Sequence, residues 1–238
     1  TAFEYGWKRI KLYFMIGLPT ETREDLQGLV DLVNKVAEIA EEYKGKEVHV
    51  SISLFSPKPH TPFQREAQNT LEQFESKITF LQKGIRRRRV KLNWREPAVS
   101  RLETALARGT REVGKVIHEA WKQGARFDAW TDSFKPDIWE DAFRKIGVCI
   151  DSFTAEAAES KILPWAHLSK GISYEFLEKE RERALQGKTT PACDKTTCIG
   201  CGAGIKKICR DLAGEQVRKK KQKEKTTVHH GRRIRKKC

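Results

Sequence analysis

Ile10-Lys-Leu-Tyr-Phe-Met-Ile16, followed at once by Gly17-Leu-Pro-Thr-Glu-Thr22, decides how the chain must begin to fold. The first run is apolar, β-branched and aromatic, the composition of a buried parallel strand. The second is a tight loop, and Thr22 with Asp25 three positions later has the form of a helix start. Leu26, Leu29, Val30, Val33, Val36, Ala37 and Ala40 then recur at helical spacing, and Gly45 is placed to close that helix. In Val48-His-Val-Ser-Ile-Ser-Leu54, Val48, Val50, Ile52 and Leu54 alternate with His49, Ser51 and Ser53, which predicts a second strand with one apolar and one small polar face. Strand, helix and strand in this order predict a right-handed parallel crossover. In a barrel the polar face would look into a lumen with room for a ligand, although an exposed sheet face alternates in the same way. The loop after the first strand is where α/β folds bind ligands, and it is equally compatible with an ordinary turn.

Farther along, the pattern predicts a helix near Thr70–Gly84, a short strand at Val90–Trp94, and a mainly helical region over 98–187. One stripe there is Val113, Ile117, Ala120 and Trp121; another is Trp139, Ala142, Phe143 and Ile146. Tyr174, Leu177, Arg181, Ala184 and Leu185 fit a last helix ended by Gly187. Trp130, Phe134, Trp139 and Trp165 could line a substrate or cobalamin surface, but core packing explains them more simply. His49 and His60 are expected to be structural or exposed, and His229 and His230 fall in a charged tail.

Charge is unevenly spread. The net +15 includes eleven Lys/Arg and one acid in residues 216–238, whereas residues 1–215 carry 36 bases against 31 acids. The body is close to balanced, and a second basic cluster runs from Lys83 through Arg86, Arg87, Arg88 and Arg89 to Lys91. The tail is poor in apolar residues and is expected to be disordered alone, either as a solvated linker or as a phosphate-contacting RNA arm. No apolar run is long enough for a membrane span, and the opening residues lack signal-peptide form. The chain starts with Thr1 and holds a single methionine, Met15, which leads us to expect a start inside a larger reading frame.

Four of six cysteines form Cys193-x4-Cys198-x2-Cys201-x7-Cys209, while Cys149 and Cys238 stand apart. Crowded cysteines without a secretory signal point to a metal knuckle in a reducing compartment, hence the cytoplasm, rather than to disulfides. Gly200, Gly202 and Gly204 would relieve the tight turns. The spacing suits an iron–sulfur cluster or zinc, and unliganded loop thiols are the simpler alternative.

Lys11-Leu-Tyr-Phe-Met-Ile-Gly-Leu-Pro-Thr-Glu-Thr22 resembles the late-barrel motif of radical S-adenosylmethionine enzymes, specifically the subgroup with an upstream cobalamin-binding domain. Ser56-Pro-Lys-Pro-His-Thr-Pro-Phe-Gln64 resembles the segment after that subgroup's final barrel strand. Arg108-Gly109, Gly124-Ala-Arg-Phe-Asp-Ala-Trp130, Leu163-Pro-Trp165 and the cysteine knuckle extend the likeness over roughly residues 5–205. The resemblance implies a partial (βα)6 barrel and a [4Fe-4S] cluster that cleaves S-adenosylmethionine reductively to a 5′-deoxyadenosyl radical. It would place Ile16, Gly17 and Leu18 near the adenosyl part, and the backbone of Ser53, Leu54 and Phe55 near the adenine edge. It also tips the knuckle toward iron–sulfur; relatives often have a further cysteine where Gly204 stands, so Cys209 becomes the expected fourth ligand. The family's Cys-x3-Cys-x2-Cys motif and its earlier strands are missing, so this chain should be inactive alone.

The expectation is therefore an α/β fold: a partial (βα) barrel fragment in 1–95, a helical post-barrel region in 96–188, a metal knuckle in 189–215 and a basic tail in 216–238. The barrel's N-terminal part, on the same or a separate chain, would be its partner. The reaction would be hydrogen abstraction, or methyl transfer if cobalamin takes part. The competing expectations are a non-catalytic nucleic-acid-binding module built on a zinc knuckle and basic tail, and a metal-stabilised scaffold docking to another barrel subunit.

Overall fold

The computed structural model describes residues 1–193 and 198–203. Its sheet has three parallel strands in sequential order, β1 (Arg9–Ile16), β2 (Glu47–Leu54) and β3 (Val90–Trp94). Lys11 pairs with His49 and His49 with Lys91; Tyr13 pairs with Ser51 and Ser51 with Asn93. Helix α1 (Arg23–Glu41) joins the first two strands and α2 (Leu71–Gly84) leads to the third. The chain is thus a mixed α/β fold with an open parallel sheet.

The strand alternation carries through to three dimensions. Val48, Val50, Ile52 and Leu54 are buried, as is Ile16, and they pack with Val30 and Val33 of α1 and Phe74, Ile78 and Leu81 of α2. Burying each such side chain contributes about 2 kcal/mol. Among the described residues no helix covers the opposite face: Tyr13 is 70% and Met15 49% exposed, beside Ser51, Ser53 and Asn93. β1 is therefore not buried on both faces, as its composition suggested. It is an edge strand whose Lys11, Tyr13 and Met15 stand out of the bare face.

Both crossover helices start with reciprocal caps. Thr22 Oγ1 accepts from the Asp25 N–H at 3.3 Å, while the Asp25 carboxylate accepts from the Thr22 N–H at 2.8 Å; Thr70 and Gln73 repeat the arrangement. α1 stops at Glu41, and Gly45 lies farther on in the loop.

A second core joins α3 (Pro97–Arg108), α4 (Glu112–Lys122) and α5 (Pro136–Ile146), followed by the single turn α6 (Asp151–Thr154). In α4 the inward side is Val113, Val116 and Ala120; Ile117 and Trp121 are 45% and 53% exposed. The expected stripe was rotated, because steps of three and four residues satisfy the helical period equally and only the neighbouring helices choose between them. Trp139, Ala142 and Phe143 of α5 are buried as expected.

The described residues divide after Trp165 into two units. In the second, α7 (Tyr174–Leu185) is capped by Ser173 and turns off at Gly187, whose φ is +64°. Residues 155–173 contain no helix, so the region from 98 to 187 is less continuously helical than its pattern suggested. Among the described residues no helix is long and apolar enough to cross a membrane.

Candidate ligand cleft at the carboxyl ends of the strands

Gly17 leaves β1 with φ +86°, a conformation that L side chains rarely adopt. A Cβ there would lie 2.6 Å from Phe74 Cε1 and 3.2 Å from Asn69 Oδ1. The Gly17 N–H donates to Glu21 Oε2 at 2.8 Å, and Glu21 Oε1 meets Lys77 Nζ at 2.5 Å. The glycine is thus demanded by the packing of α2 and by the turn itself. Ile16 and Gly17 are buried, whereas Leu18, Pro19 and Thr20 face solvent.

The matching segment after β2 is also tightly held. The Phe55 N–H donates to Ile16 O at 2.8 Å, and Phe55 O accepts from Gln68 Nε2 at 3.1 Å. Leu54 and Phe55 are buried, while Ser53 is exposed on the bare face. Of the six residues that the resemblance set near the nucleoside, Ser53 is the one whose side chain stands out on that face. Of the other five, Ile16, Leu54 and Phe55 are buried, Gly17 lies in the turn, and Leu18 is on the surface beside a separate groove.

Between these ends lies a cleft of about 510 Å³, bordered by Met15, Ser51, Ser53, Asn93, Trp94 and Ser100. This volume falls in the range of small-molecule sites. At its border Lys58 Nζ approaches Glu103 Oε1 at 2.5 Å, and Arg95 reaches Glu103 Oε2 at 3.4 Å. The three side chains come from the segments after β2 and β3 and from α3. Lys58 belongs to a motif noted in the sequence; Arg95 and Glu103 lie on a strand end and a helix, and nothing in their local sequence couples them.

A buried polar frame underlies the cleft. Gln68 Nε2 donates to Ser100 Oγ at 3.0 Å, and Ser56 Oγ lies 2.5 Å from Thr104 Oγ1. Arg108 donates to Glu66 O at 3.0 Å and Ala155 O at 3.1 Å, and burial pushes its pKa below the usual guanidinium value. Trp165 Nε1 donates to Gln64 Oε1 at 2.9 Å. Segments 56–64, 108–109 and 163–165, separate in sequence, are brought together here. Gly109 has a steric role: a Cβ would come within 2.3 Å of Val113 Cγ2.

The remaining candidates are dispersed. His49 Nε2 lies 3.1 Å from Glu47 Oε2, at the other end of the sheet. With Lys91 and Arg9 it holds the Glu47 carboxyl below the usual carboxylate range, the His49 hydrogen bond being the largest cause. The backbone N–H of His60 donates to Gln64 Oε1 at 3.1 Å. Trp139 and Trp165 are core residues and Phe134 packs at the core's edge, but Trp130 is 70% exposed and is no part of it. In the inner basic cluster, Arg87 pairs with Glu38 and Arg89 donates to Ala40 O and Tyr43 O; both tie the β3 approach to the end of α1.

Cys193 is exposed, and Cys198 and Cys201 are half-buried. Cys201 O accepts from the Ser173 N–H at 2.8 Å, which seats the Cys201 turn on the start of α7. Thr190 donates to Glu180 on the same helix. Among the described residues no three His, Cys, Asp or Glu side chains gather as for a metal ion. Cys209, Cys238, Gly204, His229, His230 and the basic tail lie outside the described residues.

No protein-family model matches the chain, and no solved structure does. Over 116 residues it is 30% identical to an uncharacterized protein of Methanocaldococcus jannaschii, a stretch that takes in 49% of this chain. The same stretch is 24% of the archaeal protein, so the chain spans about a quarter of its relative's length.

Proposed function

We propose that the chain is the carboxyl-terminal part of a radical S-adenosylmethionine enzyme and supplies the last staves of its barrel. The observation that carries this is the sheet: among the described residues, three parallel strands in sequential order with their crossover helices on one face, and a cleft at their carboxyl ends that mixes Ser51, Ser53 and Asn93 with Met15 and Trp94. A barrel lumen needs such a face, and ligand sites of βα folds lie at that end. Among the described residues no strand pairs with the outer edge of β1, which supports the same reading. Beside it, Met15, Leu18, Leu29 and Leu32 border an apolar groove of about 410 Å³, in which a preceding strand and helix would find their packing surface.

In this reading Ser53 and the Leu18 turn meet the nucleoside, and the Gly17–Glu21–Lys77 linkage holds the turn still. When bound, the cluster and S-adenosylmethionine supply the 5′-deoxyadenosyl radical; this chain's residues orient the nucleoside and keep water from it. The cluster's own cysteines must come from elsewhere, since the chain has no Cys-x3-Cys-x2-Cys. The thiolates of Cys193, Cys198, Cys201 and Cys209 are the right donor type for a further iron–sulfur cluster or for zinc. A cytoplasmic setting suits both.

Anaerobic reconstitution with iron and sulfide, together with the coding sequence ahead of this chain, tests the proposal. A brown protein, and a Cys-x3-Cys-x2-Cys motif in the preceding sequence, is the expected result. A colourless protein with stoichiometric zinc and no such motif would replace it with the nucleic-acid-binding alternative.

A further inference from the structure

From the convergence of Lys58, Arg95 and Glu103 we infer that the cleft is an anion-recognising pocket, and that Glu103 occupies the anion's position until a carboxylate or phosphate of a small-molecule ligand replaces it. The inference rests on the cleft being a ligand site, as proposed above, and adds the chemical class of what enters it.

Two cations share one carboxylate at the border of a cavity of about 510 Å³. Glu103 Oε1 takes Lys58 and Oε2 takes Arg95, the two-oxygen arrangement that a ligand carboxylate or phosphate also offers. All three side chains are about half exposed, so solvent weakens the internal pairs and exchange of one anion for another costs little. With Glu103 displaced, the pocket keeps two positive charges. It also lies against the first turns of α3, whose N-terminal end favours negative charge; Glu96 at the cap makes no side-chain bond to that turn.

The rest of the lining fits the body of such a ligand. Ser51, Ser53, Asn93 and Ser100 offer hydroxyl and amide groups, and Trp94 and Met15, 36% and 49% exposed, offer flat and polarizable surface. Behind them Ser100 is fixed by Gln68 and Thr104 by Ser56, so α3 presents Glu103 from a rigid mount.

The test titrates the 238-residue chain with inorganic phosphate and, separately, with malonate, following the Trp94 indole N–H resonance, assigned from Trp94→Phe. A saturable shift is expected with at least one of them, and which one binds more tightly separates phosphate from carboxylate ligands. Glu103→Gln should tighten binding about fivefold, and Lys58→Met or Arg95→Met should weaken it by a similar factor. A Trp94 signal that neither anion moves, or affinities unchanged in Glu103→Gln, would overturn the inference. Dispersion of the other indole signals shows that each variant is folded; should a cation variant fail to fold, Glu103→Gln decides alone. The nucleoside reading is tested separately, by 5′-deoxyadenosine formation in the chain joined to the segment that supplies the Cys-x3-Cys-x2-Cys motif. Anion binding without that product would sink the nucleoside reading and leave the anion pocket standing.

Discussion

A Cβ placed on Gly17 would stand 2.6 Å from Cε1 of Phe74, so the turn leaving β1 and the inner face of α2 are fitted to each other at one atom. The packing of α2 against the end of β1 therefore depends on the absence of a side chain.

This fit predicts a measurable coupling. Gly17→Ala should destabilise the protein by about 3 kcal/mol, from left-handed backbone strain together with overpacking. Phe74→Leu on its own should cost about 1 kcal/mol, and the double variant should recover about 1 kcal/mol relative to the sum of the two. Urea unfolding of the four proteins measures the cycle; strict additivity would show that the two residues do not meet.

Arg108 is the keystone of the buried polar frame, holding the carbonyls of Glu66 and Ala155. Arg108→Met keeps the bulk and leaves both acceptors unpaired, so it should cost about 2–4 kcal/mol in denaturant unfolding. An effect below about 0.5 kcal/mol, the size expected of a surface site, would remove Arg108 from that role.

The Glu47 cluster predicts an acid dependence of stability. Its folded pKa is lowered from 4.5 by His49, Lys91 and Arg9, so the unfolded state takes up the proton more readily. Glu47's contribution is therefore fully present above about pH 4.5 and is lost as the pH falls through the lower folded value. The stability difference between wild type and Glu47→Gln should be constant near neutrality and shrink in acid. A difference that grows toward low pH would contradict the assignment.

For the cysteine segment, serine at Cys198 or Cys201 should lower bound iron or zinc to well under half of wild type, read by elemental analysis. Serine at Cys149, which stands outside the cluster, should leave metal content unchanged. Equal metal in all three variants would show that the cysteines hold none.

Much of the sheet was readable in the sequence because its signals are local. Val48–Leu54 alternates strictly, and the core follows that alternation; Thr22 and Asp25 announce α1 by hydrogen bonds that span three residues. The less readable features depend on neighbours distant in the chain. The composition of β1 did not show that its Tyr13 face would be bare, because burial depends on what packs there. The inward side of α4 was chosen by α3 and α5, and Trp130 looked like core only because tryptophan usually is. Gln64 and Trp165 meet across 101 positions, and Arg108 finds Glu66 across 42. In the cleft, Ser53 was legible from strand phase alone. Arg95 and Glu103 were not, since their meeting depends on how α3 turns back over the strand ends.

We propose that the bare face of this sheet lines a chamber in which S-adenosylmethionine is cleaved. The most direct measurement is 5′-deoxyadenosine formation, under anaerobic reduction, by the chain joined to the segment that supplies a Cys-x3-Cys-x2-Cys motif. 5′-Deoxyadenosine should form, and Ser53→Trp, which fills the cleft, should suppress it without lowering bound iron. No 5′-deoxyadenosine from a cluster-loaded protein, or an equal yield from Ser53→Trp, would contradict it.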